Sequence, residues 1–331
     1  MWWILLVSIE SDCGSRISSL LFRLAVDVSV GKELPMAHIG HLDFRGWLDA
    51  REAAASAGEI GGERAYAYAS DRKIRATLEF AKPVTMAVEA VVGVFHSSGK
   101  NKLLGTAVKV GPTQFPRVWG IVESCARTLG IGVPTVYIAN NPTFNAHTFG
   151  TVDDSFILVH SGLVDNLTND ELTSVIGHEC GHIHNNHVVY LTTLYFLQRL
   201  AEAFVGPFVW PARMALTAWR RRGEITADRA SLLCTQQPRV CEKSLAKLAL
   251  GSRTLYDELN VEAFLSQYDG IREGVGRIEE AFASHPWLPK RILALRVFQQ
   301  SRLFRTRAGL GIDGLCMNDV DERVHKIVKV L

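Results

Sequence analysis

Thr168-Asn-Asp-Glu171-Leu-Thr-Ser-Val-Ile-Gly-His178-Glu-Cys-Gly-His182 decides how this chain is read. Its first four residues have the form of a capping box. The Thr168 hydroxyl can accept from the Glu171 amide while the Glu171 side chain reaches back to the Thr168 amide, which starts a helix. Leu172, Val175, Ile176 and Ile183 recur at helical spacing behind the cap, so an amphipathic helix with a buried stripe is expected to about Val188. Four residues of helix turn through roughly 400°, which aims the rings of His178 and His182 the same way, one turn apart, able to share one cation. Zinc suits such a pair. Glu179 lies about 100° around the helix, near enough to reach a water on the cation and placed as a base. Cys180 points to the apolar side and reads as core. His184 and His187 project roughly 140–180° from the ligand pair and read as surface residues.

Farther along, Glu224-Ile-Thr-Ala-Asp228 sets two carboxylates at i and i+4 on one helical face. Glu224 can supply a third protein ligand, giving one zinc ion per chain with a fourth position open, as a catalytic site requires. Asp228, one turn on, is placed to accept the free ring N–H of a ligating histidine and fix its tautomer.

Around this pair of segments the pattern predicts an α+β fold, with a small sheet ahead of a mainly helical remainder. Gly105 to Val110, Thr135 to Ala139 and Ser155 to His160 read as strands. Between the first two, Val118, Ile121, Val122, Cys125 and Leu129 share one helix face, closed by Gly130. Val84 to Phe95 reads as a buried element. Val320, Val324, Ile327, Val328 and Leu331 give a C-terminal amphipathic helix. Residues 49 to 65 are rich in Ala, Gly and Glu, a soft boundary. The expected organisation is an N-terminal extension over 1–70, partly flexible, a main domain over 71–308 and a tail over 309–331. Met1 to Ser8 is apolar but lacks a basic flank and is too short for a span; no signal peptide is read there, and Met36 serves as well for a start.

Composition narrows the partners. The 36 basic and 34 acidic residues of the 331-residue chain nearly cancel, so no global field recruits nucleic acid or an anionic surface. The six cysteines are scattered with no C-x-x-C pair, which favours free thiols, a reducing compartment and a cytoplasmic location. Residues 188 to 219 are hydrophobic but interrupted by Arg199, Glu202 and Arg213 and broken by Pro207 and Pro211. They read as an amphipathic helical hairpin that either covers the cleft or makes a peripheral membrane contact.

With these residues in view, the chain resembles the HtpX-like and CAAX-prenyl-protease-like zinc peptidases of the gluzincin group. The resemblance covers roughly residues 100 to 300. It is carried by Phe144-Asn145-Ala146, Ser161-Gly162-Leu163 with Asp170-Glu171-Leu172, His178 to His182, Glu224 to Asp228, and Ser284-His285-Pro286 with Arg291. It implies a zincin-like metallopeptidase fold with an edge strand over the active-site helix, and a zinc endopeptidase acting on protein or peptide substrates. Asn145 and Ala146 would then contact the substrate strand, His285 would donate to the oxyanion, and Arg291 would orient the cleft or touch substrate. Relatives commonly carry an aromatic residue after Asn-Ala, and here His147 stands there, leaving open both the neighbouring substrate pocket and a further histidine contact with the metal. Two other readings use the same residues: a non-catalytic zinc-stabilised peptide-binding protein, and a membrane-associated protease. An intact Glu179 argues against the first, since a structural site has no need of that carboxylate.

Overall fold

Two helices, Asn169–His184 and Val209–Thr235, form the centre of the protein, and the approach of one to the other positions everything else. The computed structural model describes residues 64–94, 105–151, 154–200, 209–252, 255, 258–269 and 286–329. In chain order the helices are α1 (Ala69–Leu78), α2 (Lys82–Val94), α3 (Pro116–Leu129), α4 (Ser161–Asn166), α5 (Asn169–His184), α6 (Val188–Leu200), α7 (Val209–Thr235), α8 (Pro238–Leu250), α9 (Val261–Asp269), α10 (Leu288–Phe298), α11 (Arg302–Arg307) and α12 (Met317–Val328). The strands are β1 (Ala107–Lys109), β2 (Thr135–Ala139), β3 (Ala146–Gly150) and β4 (Ser155–His160). The fold is mainly helical with one small sheet, an α+β arrangement.

The sheet runs β1-β2-β4-β3, with β2 and β4 parallel and both outer pairs antiparallel. The pleat divides its side chains by alternation. Val136, Ile157 and Val159 enter the main core, while Phe149, Phe156 and Leu158 pack with Tyr137, Tyr195 and Phe196 on the other face. Strand β3, at the sheet edge, was not among the extended runs read from periodicity, because Ala146-His-Thr-Phe-Gly150 is short and lacks a β-branched run.

The capping box forms as the sequence predicts. Thr168 Oγ1 accepts from the Glu171 amide at 3.3 Å, and Glu171 Oε2 accepts from the Thr168 amide at 2.8 Å. The same Glu171 oxygen takes Lys247 Nζ at 2.8 Å, tying the cap to α8. The far end of the helix differs from expectation. α5 stops at His184, not near Val188, because Asn186 adopts the left-handed conformation (φ 57°), which asparagine tolerates better than most residues. The chain folds back there, and the His187 amide donates to the His182 carbonyl at 3.0 Å.

Helix α7 fits against α5 through small residues. A Cβ on Gly181 would lie 2.6 Å from Ala230 Cβ and 3.1 Å from Ala227 Cα, and one on Gly177 would lie 2.9 Å from Cys234 Cβ. Only glycine permits that approach. Toward its N-terminus, α7 instead joins α1, α2 and α6 in an apolar layer built on Leu78, Val84, Leu194, Leu197, Leu216 and Trp219. Each such Leu, fully buried, contributes about 1.5–3 kcal/mol. Pro211 sits in the first turn of α7, where its missing N–H is harmless, so it does not break the helix. The α6 and α7 segments are therefore packed against the body of the protein, while Glu202 and Pro207 lie outside the described residues. Among the described residues no helix is long and apolar enough to cross a membrane.

The two ends of the described chain meet at α7. Tyr66, Tyr68, Val320 and Val324 belong to the main core, and buried Arg229 holds the Tyr66 carbonyl at 3.0 Å and Asp321 at 2.7 Å. The amphipathic C-terminal stretch is α12.

Candidate active site

Because Gly177 and Gly181 let α7 come close, Glu224 faces both imidazoles of α5. His178 Nε2 lies 3.5 Å from Glu224 Oε2, and His182 Nε2 lies 3.9 Å from Glu224 Oε1. One ligand atom from each of the three residues falls within 4.8 Å of the others. In a tetrahedral zinc site with bonds of about 2.0–2.1 Å, ligand atoms stand roughly 3.4 Å apart, so these side chains need to close by at most about 1.4 Å. Donor chemistry and spacing both fit a metal ion of that kind.

The surroundings favour positive charge at this point. Burial pushes the His178 ring toward its neutral form, but the hydrogen bonds it donates to Asp228 and Glu224 outweigh burial and bring its pKa up to about 9. His182 goes the other way: burial and the neighbouring His178 hold it well below the usual histidine value, as a neutral ring with a lone pair. Asp228 Oδ1 is 3.0 Å from His178 Nδ1, the contact that leaves Nε2 to face Glu224. Arg291, at the start of α10, clamps the two carboxylates from behind. Its Nε and Nη2 donate to Asp228 at 2.8 and 2.6 Å, and its Nη1 lies 3.2 Å from Glu224. Burial alone would raise the Asp228 carboxyl, yet Arg291 outweighs burial and holds it below the ordinary range. Arg220, one turn before Glu224, adds a contact at 3.3 Å.

Glu179 is buried on the neighbouring face of α5, and burial pushes its carboxyl above the ordinary value. Thr148 of β3 donates its hydroxyl to Glu179 Oε2. Periodicity missed this residue, although Thr148 stands two places after Ala146 and so shares its face of the strand. His147, between them, faces the other way: it packs near Phe149, His160 and Tyr195, with its Nε2 3.0 Å from Asn145 Nδ2. It is not among the metal-facing groups. Asn145 is exposed and Ala146 half-buried at the start of the edge strand. His285 lies outside the described residues. Cys180 is fully buried in the core.

The surface placement expected for His184 and His187 is incorrect. His184 is buried under the chain at 64–68, with its Nδ1 2.9 Å from the Tyr66 hydroxyl. His187 is buried because the turn at Asn186 ends the helix whose continuation would have carried it outward. No residue-spacing rule detects either cover.

A family model described as Peptidase family M48 matches residues 112–298, more than half of the 331. The chain is 38% identical over 168 residues to the plastoglobule-localized metallopeptidase 48, chloroplastic, of Arabidopsis thaliana, covering 50% of this chain and 49% of that one. It thus spans about half the length of that relative. It is 26% identical over 237 residues to a protease HtpX homolog of Tropheryma whipplei (strain Twist), covering 62% of this chain and 81% of that one. With protease HtpX of Thioalkalivibrio sulfidiphilus it shares 29% identity over 212 residues, 54% and 70% of the two chains. No solved structure matches. The matched residues take in the α5 histidines, Glu179, Glu224 and Asp228 alike, and the chain belongs to peptidase family M48, a family of HtpX-like metallopeptidases.

Proposed function

We propose that the chain is a zinc-dependent endopeptidase of zincin-like fold, with His178, His182 and Glu224 as ligands and Glu179 as the base. The observation that carries this reading is the convergence of two imidazoles and one carboxylate from two helices, beside a buried carboxylate that is not one of them. Zinc, when bound there, supplies Lewis acidity to a water and to the scissile carbonyl. Glu179, its proton affinity raised by burial, takes the proton of the attacking water and returns it to the leaving amine. Thr148 holds one carboxylate oxygen during both transfers. Asp228 fixes the ring of His178, and Arg291 keeps Asp228 ionised and holds both Asp228 and Glu224 in place, a positioning role. The edge strand β3 offers backbone groups to an extended substrate, with Asn145, Ala146 and His147 beside it. His285 has the role of oxyanion donor by resemblance alone.

Metal analysis and hydrolysis of an unstructured protein such as casein test this together. Wild type is expected to hold about one zinc per chain, as a site with three protein ligands does. Glu224→Ala should lose both metal and hydrolysis. Glu179→Gln should keep the metal while kcat falls about 10²–10⁴-fold. Undiminished hydrolysis by Glu179→Gln would defeat the assignment.

A further inference from the structure

His182 lacks the carboxylate that holds His178. Its Nδ1 is instead 3.0 Å from Nδ1 of His187, just past the helix end. On its other side, His187 Nε2 lies 3.1 Å from Asp71 Oδ2, an approach bent from the ideal N–H line. Asp71, on α1, is buried and accepts two further hydrogen bonds: Trp219 Nε1 donates to Oδ1 at 2.8 Å and Thr226 Oγ1 to Oδ2 at 2.6 Å. Trp219 also packs edge-on against the His187 ring, with centroids 5.1 Å apart, and glycine at 223 leaves that ring its space.

We infer that Asp71 and His187 form a two-residue relay that fixes the tautomer and orientation of the metal ligand His182. An ionised carboxylate only accepts, so the His187 proton belongs on Nε2. With that proton on Nε2, His187 presents the lone pair of Nδ1 to His182 at 3.0 Å, which pairs with a proton on His182 Nδ1. That leaves the Nε2 lone pair of His182 toward Glu224, the state a metal ligand needs. Burial would raise the Asp71 carboxyl, but contact with His187 outweighs it and holds it below the ordinary carboxyl range. Both residues are positioning residues. Asp71 lies before residue 112, outside the stretch the family model matches. The metal centre is therefore completed from an element ahead of the matched region, and α1 is part of the site as well as of the apolar layer.

This inference rests on the metal-site reading above, and its test separates the two. Zinc dissociation constants of the full chain are measured by chelator competition, with urea midpoints of the metal-free forms, for wild type, Asp71→Asn and Thr226→Val. Asn at 71 keeps the shape but turns an amide donor toward His187, which reverses both rings and puts hydrogen on His182 Nε2. Zinc affinity should fall about 10–100-fold in Asp71→Asn. Thr226→Val removes a donor to the same carboxylate yet leaves His187 in place, so it should lower the urea midpoint with zinc affinity unchanged. Should Asp71→Asn fail to fold, His187→Phe keeps a ring in the pocket without nitrogens and is expected to lose zinc affinity to the same degree. If wild type binds zinc and the folded variants bind it as tightly, the relay is overturned and the metal site stands. If wild type binds no zinc, the metal-site reading itself fails.

Discussion

Helix α7 is one continuous element with two unlike halves. From Val209 to Trp219 it is held by apolar burial, Leu216 and Trp219 filling the layer shared with α1, α2 and α6. From Gly223 onward it is held by small-residue contact with α5 and by ion pairs: Ala227 and Ala230 against Gly181, Glu224 and Asp228 against Arg291, Arg229 against Asp321. The second half sacrifices apolar area to bring charged groups together, and a buried ion pair is weak evidence of stability. The first half anchors the helix, so that a polar, charged second half is tolerated in a marginally stable protein.

The contrast can be broken most sharply at Leu216. Leu216→Ala should cost about 2–5 kcal/mol in urea unfolding, with zinc affinity of the folded protein unchanged, because the cavity opens in the anchoring layer. Loss of zinc binding in the folded variant would show that the halves are not separable. Gly181→Ala should have a smaller stability effect and a larger functional one. Overpacking against Ala230 costs about 1–3 kcal/mol, partly offset by the roughly 1 kcal/mol helix preference of alanine over glycine. The displaced helix moves Glu224 from the imidazoles, so zinc should dissociate more readily than from Leu216→Ala. Equal zinc affinity in the two variants would contradict the role given to the close approach.

The smallest effect is one of slope. Burial pushes the Glu171 carboxyl up, but Lys247 and Thr168 outweigh it and hold its pKa below the ordinary value. A carboxyl depressed in the folded state contributes stability that is present above the unfolded value of about 4.3 and lost as pH falls through the folded pKa. Stability of the wild type measured by urea between pH 6 and pH 3, as a span of order a few units around that value, should therefore fall more steeply than that of Glu171→Gln. Parallel curves would remove Glu171 from the account of how α5 is tied to α8.

Much of this was legible in the residues. The capping box, the aligned histidines, the core position of Cys180, the strands at 135–139 and 155–160 and the C-terminal helix follow from local periodicity and hydrogen-bonding chemistry, which act within a few residues. The membership of Peptidase family M48 agrees with the resemblance drawn from the motifs. Other features were not legible. Strand β3 has little propensity of its own and exists because it pairs with β4. The burial of His184 depends on Tyr66, more than a hundred positions away in the chain.

The sequence by itself determined which side chains could ligate a cation, and that they occur at one helical turn's spacing, because a helix carries its own geometry wherever it packs. Tertiary structure alone decided that Glu224 meets those histidines, that Thr148 holds Glu179 and that Asp71 reaches His182 through His187. Those distances are set by how closely two helix backbones approach and by where a left-handed asparagine turns the chain, and neither is written into the spacing of any single element.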